Sequence, residues 1–377
     1  MKIKRITAIL LSTAICCSLI AGCGDSTTPS SESSSETTAS AAATSEATTA
    51  STSDAAASAT STVTDEATTT DAAAASSVDS KYTADDSVLS EPEGEKSSDD
   101  KETERPDFSG NITNNDGKQL QIVFLGDSQL DNFRDITGPA YLTGQYCEAN
   151  VYNLAIGGQT LSIDHNDNPS SGEWTSPSGV GWAYVLSGKV DADFLSSYHA
   201  YDVYKSCNLN DTDVFVVEYG VNDYLSKHPL WGGYDSDPYS YAGAINIVIN
   251  TLRNTYPNAK IIFSTPSYVY FTSANSVLGT GDGNLINNGY ATLSDYSYGA
   301  SNTAQKIGAE TYNAYQLLGV GPENYDEFLL DGIHLNEDGR KKLAQAWSRM
   351  ILRDFGYKIE EGANLDDLDI SSLTKQQ

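Results

Sequence analysis

Cysteine, histidine and basic side chains are scarce in this chain of 377 residues, which has five cysteines, four histidines, and 22 lysines and arginines against 51 aspartates and glutamates. So few cysteines exclude a dense disulfide framework, and no cysteine–histidine spacing typical of a metal site occurs. Cys147 and Cys207 are the two cysteines beyond the N-terminal region. They could form one disulfide or stay as two buried thiols, and the sequence leaves both alternatives open.

Because basic residues are so few, the formal net charge is −29, and the segment from residue 108 onward carries 32 acidic and 15 basic side chains. Nucleic-acid binding depends on lysine and arginine neutralising phosphates, so this charge argues against it. It also argues against extensive contact with an anionic membrane surface. Neutral partners, such as acylated sugars or small esters, fit an acidic domain better.

Long hydrophobic runs are also missing, except at the N-terminus, where the basic start MKIKR precedes an apolar stretch and small residues. This segment is too short and wrongly flanked for a mature transmembrane helix, so residues 1–22 are predicted to be a signal peptide. The ending LIAGC resembles the lipobox of bacterial lipoproteins, which implies that Cys23 is lipidated and becomes the new N-terminus. An ordinary signal peptide cut near Ala21 is the alternative.

Residues 24–107 consist mostly of Ser, Thr, Ala, Asp and Glu, with 19 acidic and 4 basic side chains and almost no large apolar ones. Such a stretch buries too little surface to offset its ordering entropy, so residues 23–116 are predicted to be a lipid-anchored, disordered linker. A flexible chain of about 80 residues has an r.m.s. reach on the order of 50 Å. That reach suits a linker that lifts a folded domain, predicted for 117–357, away from a membrane. An acidic, weakly ordered tail is predicted for 358–377.

The predicted domain alternates apolar runs with helix-like stretches. The predicted strands are LQIVFLG ending at residue 126, NVYNLAI at 150–156, DVFVVEYG at 213–220 and AKIIFSTP at 259–266. Their apolar residues are continuous rather than alternating, which is typical of strands covered on both faces. Helices are predicted at 240–255 and 337–355, the second capped by Asn336 and burying Trp347. This alternation predicts one α/β domain with a mainly parallel sheet.

Polar and glycine residues follow these predicted strands and precede the last helix. They are Gly126, Asp127 and Ser128 after the first strand, Asn153, Gly157 and Gly158 after the second, Gly220, Asn222 and Asp223 after the third, and Asp331 and His334 in the late loop LLDGIHLN. In open parallel sheets, ligands bind outside the carboxyl ends of the strands. We therefore expect these residues to meet at one edge of the sheet.

Ser128 fits two roles, because a serine at such a turn can cap a helix or act as a nucleophile, and the two can coexist. A serine nucleophile needs a base, and the base needs a group that holds its tautomer. His334 is the predicted base and Asp331 the orienting carboxylate. The backbone N–H groups of Ser128 and Gly158 and the side-chain amide of Asn222 are the predicted donors to a developing oxyanion.

At these positions the chain resembles the SGNH or GDSL hydrolases, a family named for residues in separate sequence blocks. The matching blocks are FLGDSQLDN, with Gln129 where many members have leucine, NLAIGGQT, with Gly157 where serine is frequent, GVND, and DGIH. The resemblance covers 117–357 in the family's order. It implies a three-layer α/β/α flavodoxin-like fold, hydrolysis of esters or thioesters, and no cofactor, with Gly158 as the oxyanion glycine.

The favoured function is that of an extracellular, lipid-anchored serine esterase that removes short acyl groups, above all acetyl, from carbohydrate. A lipase or lysophospholipase-like esterase would need an apolar channel, which the polar, glycine-rich loops at 161–181 and 224–238 disfavour. A solute-binding lipoprotein of a transporter is the non-catalytic alternative, although it typically needs two lobes. The long Ser/Thr linker favours a Gram-positive surface, and the sequence leaves the oligomeric state open.

Several side chains near the predicted site have competing interpretations. Trp231, Trp174 and Gln129 are the predicted substrate contacts, since aromatic faces stack on sugar rings. Trp182 fits a loop core equally well. His228 is a rival base without a nearby orienting carboxylate. The run DHNDN at 164–168 is rich in oxygen ligands but lacks a full calcium-loop pattern, so a solvated turn is predicted and no metal.

Overall fold

The computed structural model describes residues 108–165, 167, 177–360, 363–367 and 373–375. The predicted signal peptide, the lipidation site Cys23, most of the linker and Trp174 lie outside these residues, so the predictions about them stay predictions. Within the described ranges, no helix combines the length and apolar character needed to cross a membrane.

The strands form one parallel sheet and a small antiparallel ribbon. They are β1 (Gln121–Gly126), β2 (Asn150–Asn153), β3 (Val214–Glu218), β4 (Lys260–Ser264), β5 (Tyr270–Phe271), β6 (Gly281–Asp282) and β7 (Glu310–Tyr312). The sheet has the order β2-β1-β3-β4-β7 with every neighbouring pair parallel, while β5 pairs with β6 in the ribbon. In sheet numbering this is the order 2-1-3-4-5 of flavodoxin-like folds. The predicted fold class is thus confirmed.

Strand register brings the ends of the central strands to one level. Gly126 of β1 lies opposite Glu218 of β3, which lies opposite Ser264 of β4. The chain leaves β1 towards β2 on one side of the sheet and returns to β3 on the other. Such a reversal of strand order creates a crevice at the carboxyl edge, between the loops that follow β1 and β3.

The helices lie between the strands and after them. They are α1 (Ser128–Asp131), α2 (Pro139–Tyr146), α3 (Gly179–Leu186), α4 (His199–Ser206), α5 (Val221–Leu225), α6 (Tyr241–Thr255), α7 (Leu293–Lys306), α8 (Ala314–Leu317), α9 (Tyr325–Phe328) and α10 (Glu337–Asp354), with 3₁₀ turns at Ala192–Leu195, Leu209–Asp211 and Leu365–Asp367.

Alternate side chains of the central strands enter two separate cores. Val123 and Leu125 of β1 pack in the core that α3, α6 and α7 cover. Ile122 and Phe124 point to the opposite core, which contains Trp347 of α10 at 5.7 Å between ring centroids from Phe124. Both faces of the sheet are therefore buried, which explains the continuous apolar runs of the strands.

The two cores bury two of the tryptophans, and helix α10 has a side-chain cap. Trp347 is fully buried, as predicted, and Trp182 is also fully buried, which decides between its two interpretations in favour of core packing. The side chain of Asn336 accepts the N–H of Gly339 at 3.1 Å, so the predicted cap of α10 is confirmed.

The folded region is longer than the predicted 117–357 at both ends. Ile112 is buried, and the Glu148 carboxylate accepts its backbone N–H at 3.2 Å. In the tail, Leu365 is buried and Asp366 forms an ion pair with Lys341 at 2.7 Å. Buried contacts therefore continue beyond 117 and 357, where short apolar anchors inside polar segments carry little sequence signal.

The two described cysteines are both free thiols. Cys147 is buried between α2 and α10, and its thiol donates to the carbonyl of Ser348 at 3.9 Å. Cys207 lies half-buried after α4, beside the side-chain amide of Gln121 at 3.8 Å. Burial raises the pKa of each thiol to about 12, so both stay protonated at neutral pH.

Candidate active site

Ser128, His334 and Asp331 form one hydrogen-bonded chain at the carboxyl edge of the sheet. The Ser128 Oγ lies 2.8 Å from Nε2 of His334, although 206 positions separate the two residues in the sequence. Nδ1 of the same imidazole lies 2.7 Å from Oδ2 of Asp331. The structure thus brings together the three side chains that the sequence singled out, in the order in which a nucleophile, a base and an orienting group would stand.

The loop itself fixes the ionised state of Asp331. Burial raises the pKa of this carboxyl, but the opposing effects are larger. The hydrogen bond and charge of His334, together with the backbone N–H groups of His334 and Ile333, lower the pKa to about 2. An ionised carboxylate can only accept, so Nδ1 of His334 must carry the proton. Nε2 is then left as an acceptor for the Ser128 hydroxyl.

Asp127, rather than Ser128, caps helix α1. Oδ1 of Asp127 accepts the N–H of Gln129 at 3.0 Å, while Oδ2 accepts from the side-chain amide of Asn222 at 3.1 Å. The hydroxyl of Ser128 is therefore free to bond His334. Asp127 is fully buried, and burial raises its pKa to about 7 despite these donors and the charge of His334.

The two glycines after β2 differ in what their N–H groups do. The N–H of Gly157 donates to Oδ2 of Asp131 at 2.7 Å. Gly158 is exposed and has a φ of +75°, and among the described residues no acceptor faces its N–H. Its N–H is therefore available to a ligand, which favours Gly158 over Gly157 as an oxyanion donor.

Asn222 lies between the nucleophile turn and the loop after β2. Its Nδ2 donates to Oδ2 of Asp127 and to the carbonyl of Gln159, both at 3.1 Å. Both amide hydrogens thus have acceptors already. An oxyanion in this site would share a hydrogen of Asn222 with one of them.

Asp131 and Arg134 hold the glycine loop against α1, and sequence reasoning missed both. Nε of Arg134 donates to Asp131 at 2.7 Å, and its two terminal nitrogens donate to the carbonyls of Asn153 and Ala155 at 2.9 and 2.6 Å. Three fork-like donors on two carbonyls and one carboxylate suit an arginine. The sequence signal for Asp131 was present in the motif FLGDSQLDN but indicated no partner.

Two further buried carboxyls lie below the crevice. Asp223 of the GVND motif accepts the backbone N–H groups of Leu161 and Ser162 at 2.8 and 2.9 Å and the Ser162 hydroxyl at 2.5 Å, so it anchors the loop after Gly158. Glu218 at the end of β3 is buried as well. Burial, with the nearby charge of Asp127, raises the pKa of Glu218 well above its usual range.

The prediction that Gln129 contacts the substrate was wrong. Its side chain is 4% exposed, with Nε2 donating to the carbonyl of Ile333 at 2.8 Å and Oε1 accepting the N–H of Leu335 at 3.2 Å. The side chain turns inward beneath α1, towards the loop that carries His334. It therefore cannot reach a ligand in the crevice.

Trp231 lies against Gly299 of α7. Its indole faces solvent, because the residue is 60% exposed. Its role as a substrate contact stays a prediction, and Trp174 lies outside the described residues. His228, the rival base, is buried with Nδ1 3.4 Å from the carbonyl of Tyr239. His334 already occupies the position beside Ser128, so His228 is not the base in this arrangement.

The run at 164–168 is described only in part, since Asn166 and Asn168 fall outside. His165 in this run stacks on the ring of Tyr239 at 5.2 Å between centroids. Over the described ranges, no three His, Cys, Asp or Glu side chains are grouped as a metal site requires.

Comparison with solved structures gives similar folds at low identity. A protein from Lactobacillus plantarum is 19% identical with a TM-score of 0.45, over 63% of this chain and 97% of the other. A carbohydrate acetylesterase family member from Sinorhizobium meliloti is 14% identical with a TM-score of 0.40, over 63% and 100%. A family two carbohydrate esterase from Clostridium thermocellum, in complex with cellohexaose, is 16% identical with a TM-score of 0.37, over 63% and 65%.

Comparison with curated proteins gives no match. The sequence profile of the GDSL-like Lipase/Acylhydrolase family, in contrast, matches residues 124–342, more than half of the chain. This range begins within β1 and ends within α10, so it includes Ser128, Asn222 and His334. The chain therefore belongs to the GDSL-like lipase/acylhydrolase family and is a carboxylic ester hydrolase.

Proposed function

We propose that this chain is an extracellular serine esterase that removes short acyl groups, in the first place acetyl, from carbohydrate. The observation that carries the proposal is the hydrogen-bonded chain of Ser128, His334 and Asp331 at the carboxyl edge of the sheet, with 2.8 and 2.7 Å between its polar atoms. Family membership already makes the chain an ester hydrolase, so the solute-binding alternative is not retained.

In the proposed reaction the Ser128 Oγ attacks the ester carbonyl while its proton passes to Nε2 of His334. The ionised Asp331 stabilises the imidazolium that results. The N–H groups of Ser128 and Gly158, with a shared hydrogen of Asn222, receive the negative oxygen of the tetrahedral intermediate. The proton on Nε2 then goes to the departing alcohol oxygen, and an acyl-serine remains.

Water completes the cycle in the reverse manner. His334 takes a proton from the attacking water, a second tetrahedral intermediate forms on the acyl-serine, and the proton returns to the Ser128 Oγ as the acid leaves. Each step uses the same imidazole and the same donors. The reaction consumes one water and releases one carboxylic acid and one alcohol.

Three features support a short acyl group on carbohydrate. The loop at 226–240 is polar and glycine-rich, whereas a long acyl chain needs an apolar channel. This loop exposes Trp231 and Tyr234, at 60% and 63%, and aromatic faces of this kind stack on sugar rings. The net charge of −29 disfavours anionic surfaces and leaves neutral glycans as better partners.

The location is proposed from the sequence alone. The apolar N-terminal segment, the lipobox-like LIAGC before Cys23 and the long Ser/Thr linker support export and a lipid anchor on a Gram-positive surface.

The test compares p-nitrophenyl acetate, butyrate and octanoate as substrates, and measures acetate released from acetylated glycans, for the wild type and Ser128→Ala. We expect kcat/KM to fall as the acyl chain lengthens and activity to vanish in the variant. Preference for octanoate would replace the proposal with a lipase-like esterase. Equal activity of the wild type and Ser128→Ala would remove Ser128 from the nucleophile role.

A further inference from the structure

Gln129 occupies an unusual position between the two halves of the site. It follows Ser128 directly in the chain, where the family resemblance gives leucine in many members. Its amide donates to the carbonyl of Ile333 and accepts the N–H of Leu335, the two residues that flank His334. The side chain is 4% exposed, so water does not compete for either bond.

We propose that Gln129 is a positioning residue, whose side-chain amide holds the His334 loop at the correct distance from the nucleophile turn. The inference rests on the proposed function, because it assigns to Gln129 the task of keeping Ser128 Oγ and His334 Nε2 within 2.8 Å. An amide suits the task, because a single glutamine side chain can donate one hydrogen bond and accept another at the same time.

The other bonds of the His334 loop do not reach the nucleophile turn. Asp331 accepts the N–H groups of Ile333 and His334 within the loop. The carbonyl of Gly332 accepts the N–H of Tyr270 at 2.8 Å, and the carbonyl of His334 accepts the N–H of Leu330 at 2.8 Å. These bonds tie the loop to itself and to β5.

Hydrogen bonds from the 331–335 loop to residues 126–131 therefore come, in the described part of the chain, from Gln129 and from the Ser128–His334 pair itself. Without the amide, the Ser128–His334 pair would be the remaining hydrogen bond between this loop and the nucleophile turn in the described residues. A displacement of about 1 Å in such a site costs about 10²-fold in rate.

The matched control is Gln121, a second buried glutamine at the opposite end of the sheet. Its Nε2 donates to the carbonyl of Asn208 at 2.9 Å and to the Thr212 hydroxyl at 3.1 Å. Replacing Gln121 with methionine removes comparable buried hydrogen bonds without touching the site. Any general effect of losing a buried amide thus appears in both variants.

The first experiment measures kcat and KM for p-nitrophenyl acetate, and the rate of inactivation by an organophosphate, in the full chain carrying Gln129→Met or Gln121→Met. For Gln129→Met we expect kcat and the inactivation rate to fall together by about 10²-fold with little change in KM. We expect Gln121→Met to retain wild-type kcat.

A second variant, Gln129→Glu, adds a pH readout that destabilisation alone would not give. An ionised glutamate cannot donate to the carbonyl of Ile333, whereas a protonated one can donate there and accept from Leu335. The ratio of variant to wild-type kcat should therefore rise as the pH falls from 8 to 5. The ratio for Gln121→Glu should stay flat.

Three results would each overturn the inference: wild-type kcat in Gln129→Met, a flat ratio in Gln129→Glu, or an equal loss of kcat in the Gln121 and Gln129 variants. If Gln129→Met does not fold, the ratio measured for Gln129→Glu decides. Ser128→Ala distinguishes the proposed esterase function from the positioning role of Gln129. If Ser128→Ala is inactive while Gln129→Met keeps wild-type kcat, only the positioning role is contradicted.

Discussion

At the scale of single residues, each member of the proposed triad is held in place by different hydrogen bonds. The cap that Asp127 provides leaves the Ser128 hydroxyl unengaged by the helix, and the buried amide of Gln129 holds the loop of His334. Asp331 uses one oxygen for backbone N–H groups and the other for the imidazole. The tautomer of His334 therefore follows from the backbone as much as from its partner.

We predict that Asp331→Asn reduces kcat for p-nitrophenyl acetate by about 10³–10⁴-fold. The asparagine can keep its bonds to the backbone N–H groups, but its amide nitrogen would donate to Nδ1 of His334. The imidazole would then carry its proton on Nε2, where it cannot accept from Ser128. Steady-state kinetics at pH 8 measure the effect, and a loss of less than tenfold would contradict the assigned tautomer.

We predict that Gly158→Ala lowers activity while Gly188→Ala does not. Both glycines have a positive φ, +75° and +70°, and at both an added Cβ meets no atom within 4 Å. The two substitutions should therefore cost a similar free energy of unfolding, about 1–2 kcal/mol, for a left-handed backbone. We expect kcat to fall by about 10–10²-fold in Gly158→Ala, where the N–H direction matters.

Urea unfolding and kinetics on both glycine variants decide this point. Equal kcat values for Gly158→Ala and Gly188→Ala at equal stability would remove Gly158 from the oxyanion role.

Single residues also show where sequence reasoning ends. Ser128, His334 and Asp331 could be singled out because their chemistry needs those residue types in a recognisable motif. The interpretation of Gln129 as a substrate contact was wrong because its partners are backbone atoms some 204 positions later in the chain. A sequence gives no sign of which way a glutamine turns from a helix.

At the scale of elements, the four predicted strands correspond to β1, β2, β3 and β4, and both predicted helices are present as α6 and α10. Long apolar runs and capped periodic stretches determine these elements locally. The edge strand β7 was missed because it has three residues, all only partly buried, and its position depends on β4.

We predict that Arg134→Ala loosens the connection between α1 and the glycine loop. It removes donors to Asp131 and to the carbonyls of Asn153 and Ala155. The free energy of unfolding should fall by about 2 kcal/mol, and kcat should fall as well because Gly158 is carried by that loop.

The control is Arg353→Ala. Arg353, near the end of α10, is 63% exposed and forms an ion pair with Glu310 of β7. Surface ion pairs contribute little, so we expect both stability and kcat to stay near wild type. Urea unfolding and kinetics on the two arginine variants provide the comparison. If Arg134→Ala lost stability and kept its kcat, the loop would not depend on this arginine for its active geometry.

At the scale of the whole molecule, the half-buried Asp331 and the buried Asp127 make stability depend on pH in opposite directions. Asp331 has a pKa lowered to about 2, so its contribution is present above about pH 4 and is lost as the pH falls towards 2. Asp127 has a pKa raised to about 7, so its contribution is present below about pH 4 and is lost as the pH rises through 7.

We predict that Asp127→Asn flattens the decline in stability between pH 4 and pH 7. The asparagine is neutral at every pH, so the folded chain no longer binds a proton that the unfolded chain releases. The free energy of unfolding, measured in urea at several pH values, should fall less steeply in Asp127→Asn than in the wild type over that range. Parallel curves for the two proteins would show that Asp127 is ionised in the folded state.

The two protonated thiols, one buried and one half-buried, have a practical consequence for following the loop that carries Trp231 in solution. A maleimide dye reacts with thiolate, so in a chain that starts after Cys23 neither Cys147 nor Cys207 should take up the dye quickly at neutral pH. A cysteine placed at Trp231 would then carry nearly all of the fluorophore, without prior removal of native sulfur. Its anisotropy would report whether that loop stiffens when an acetylated glycan binds.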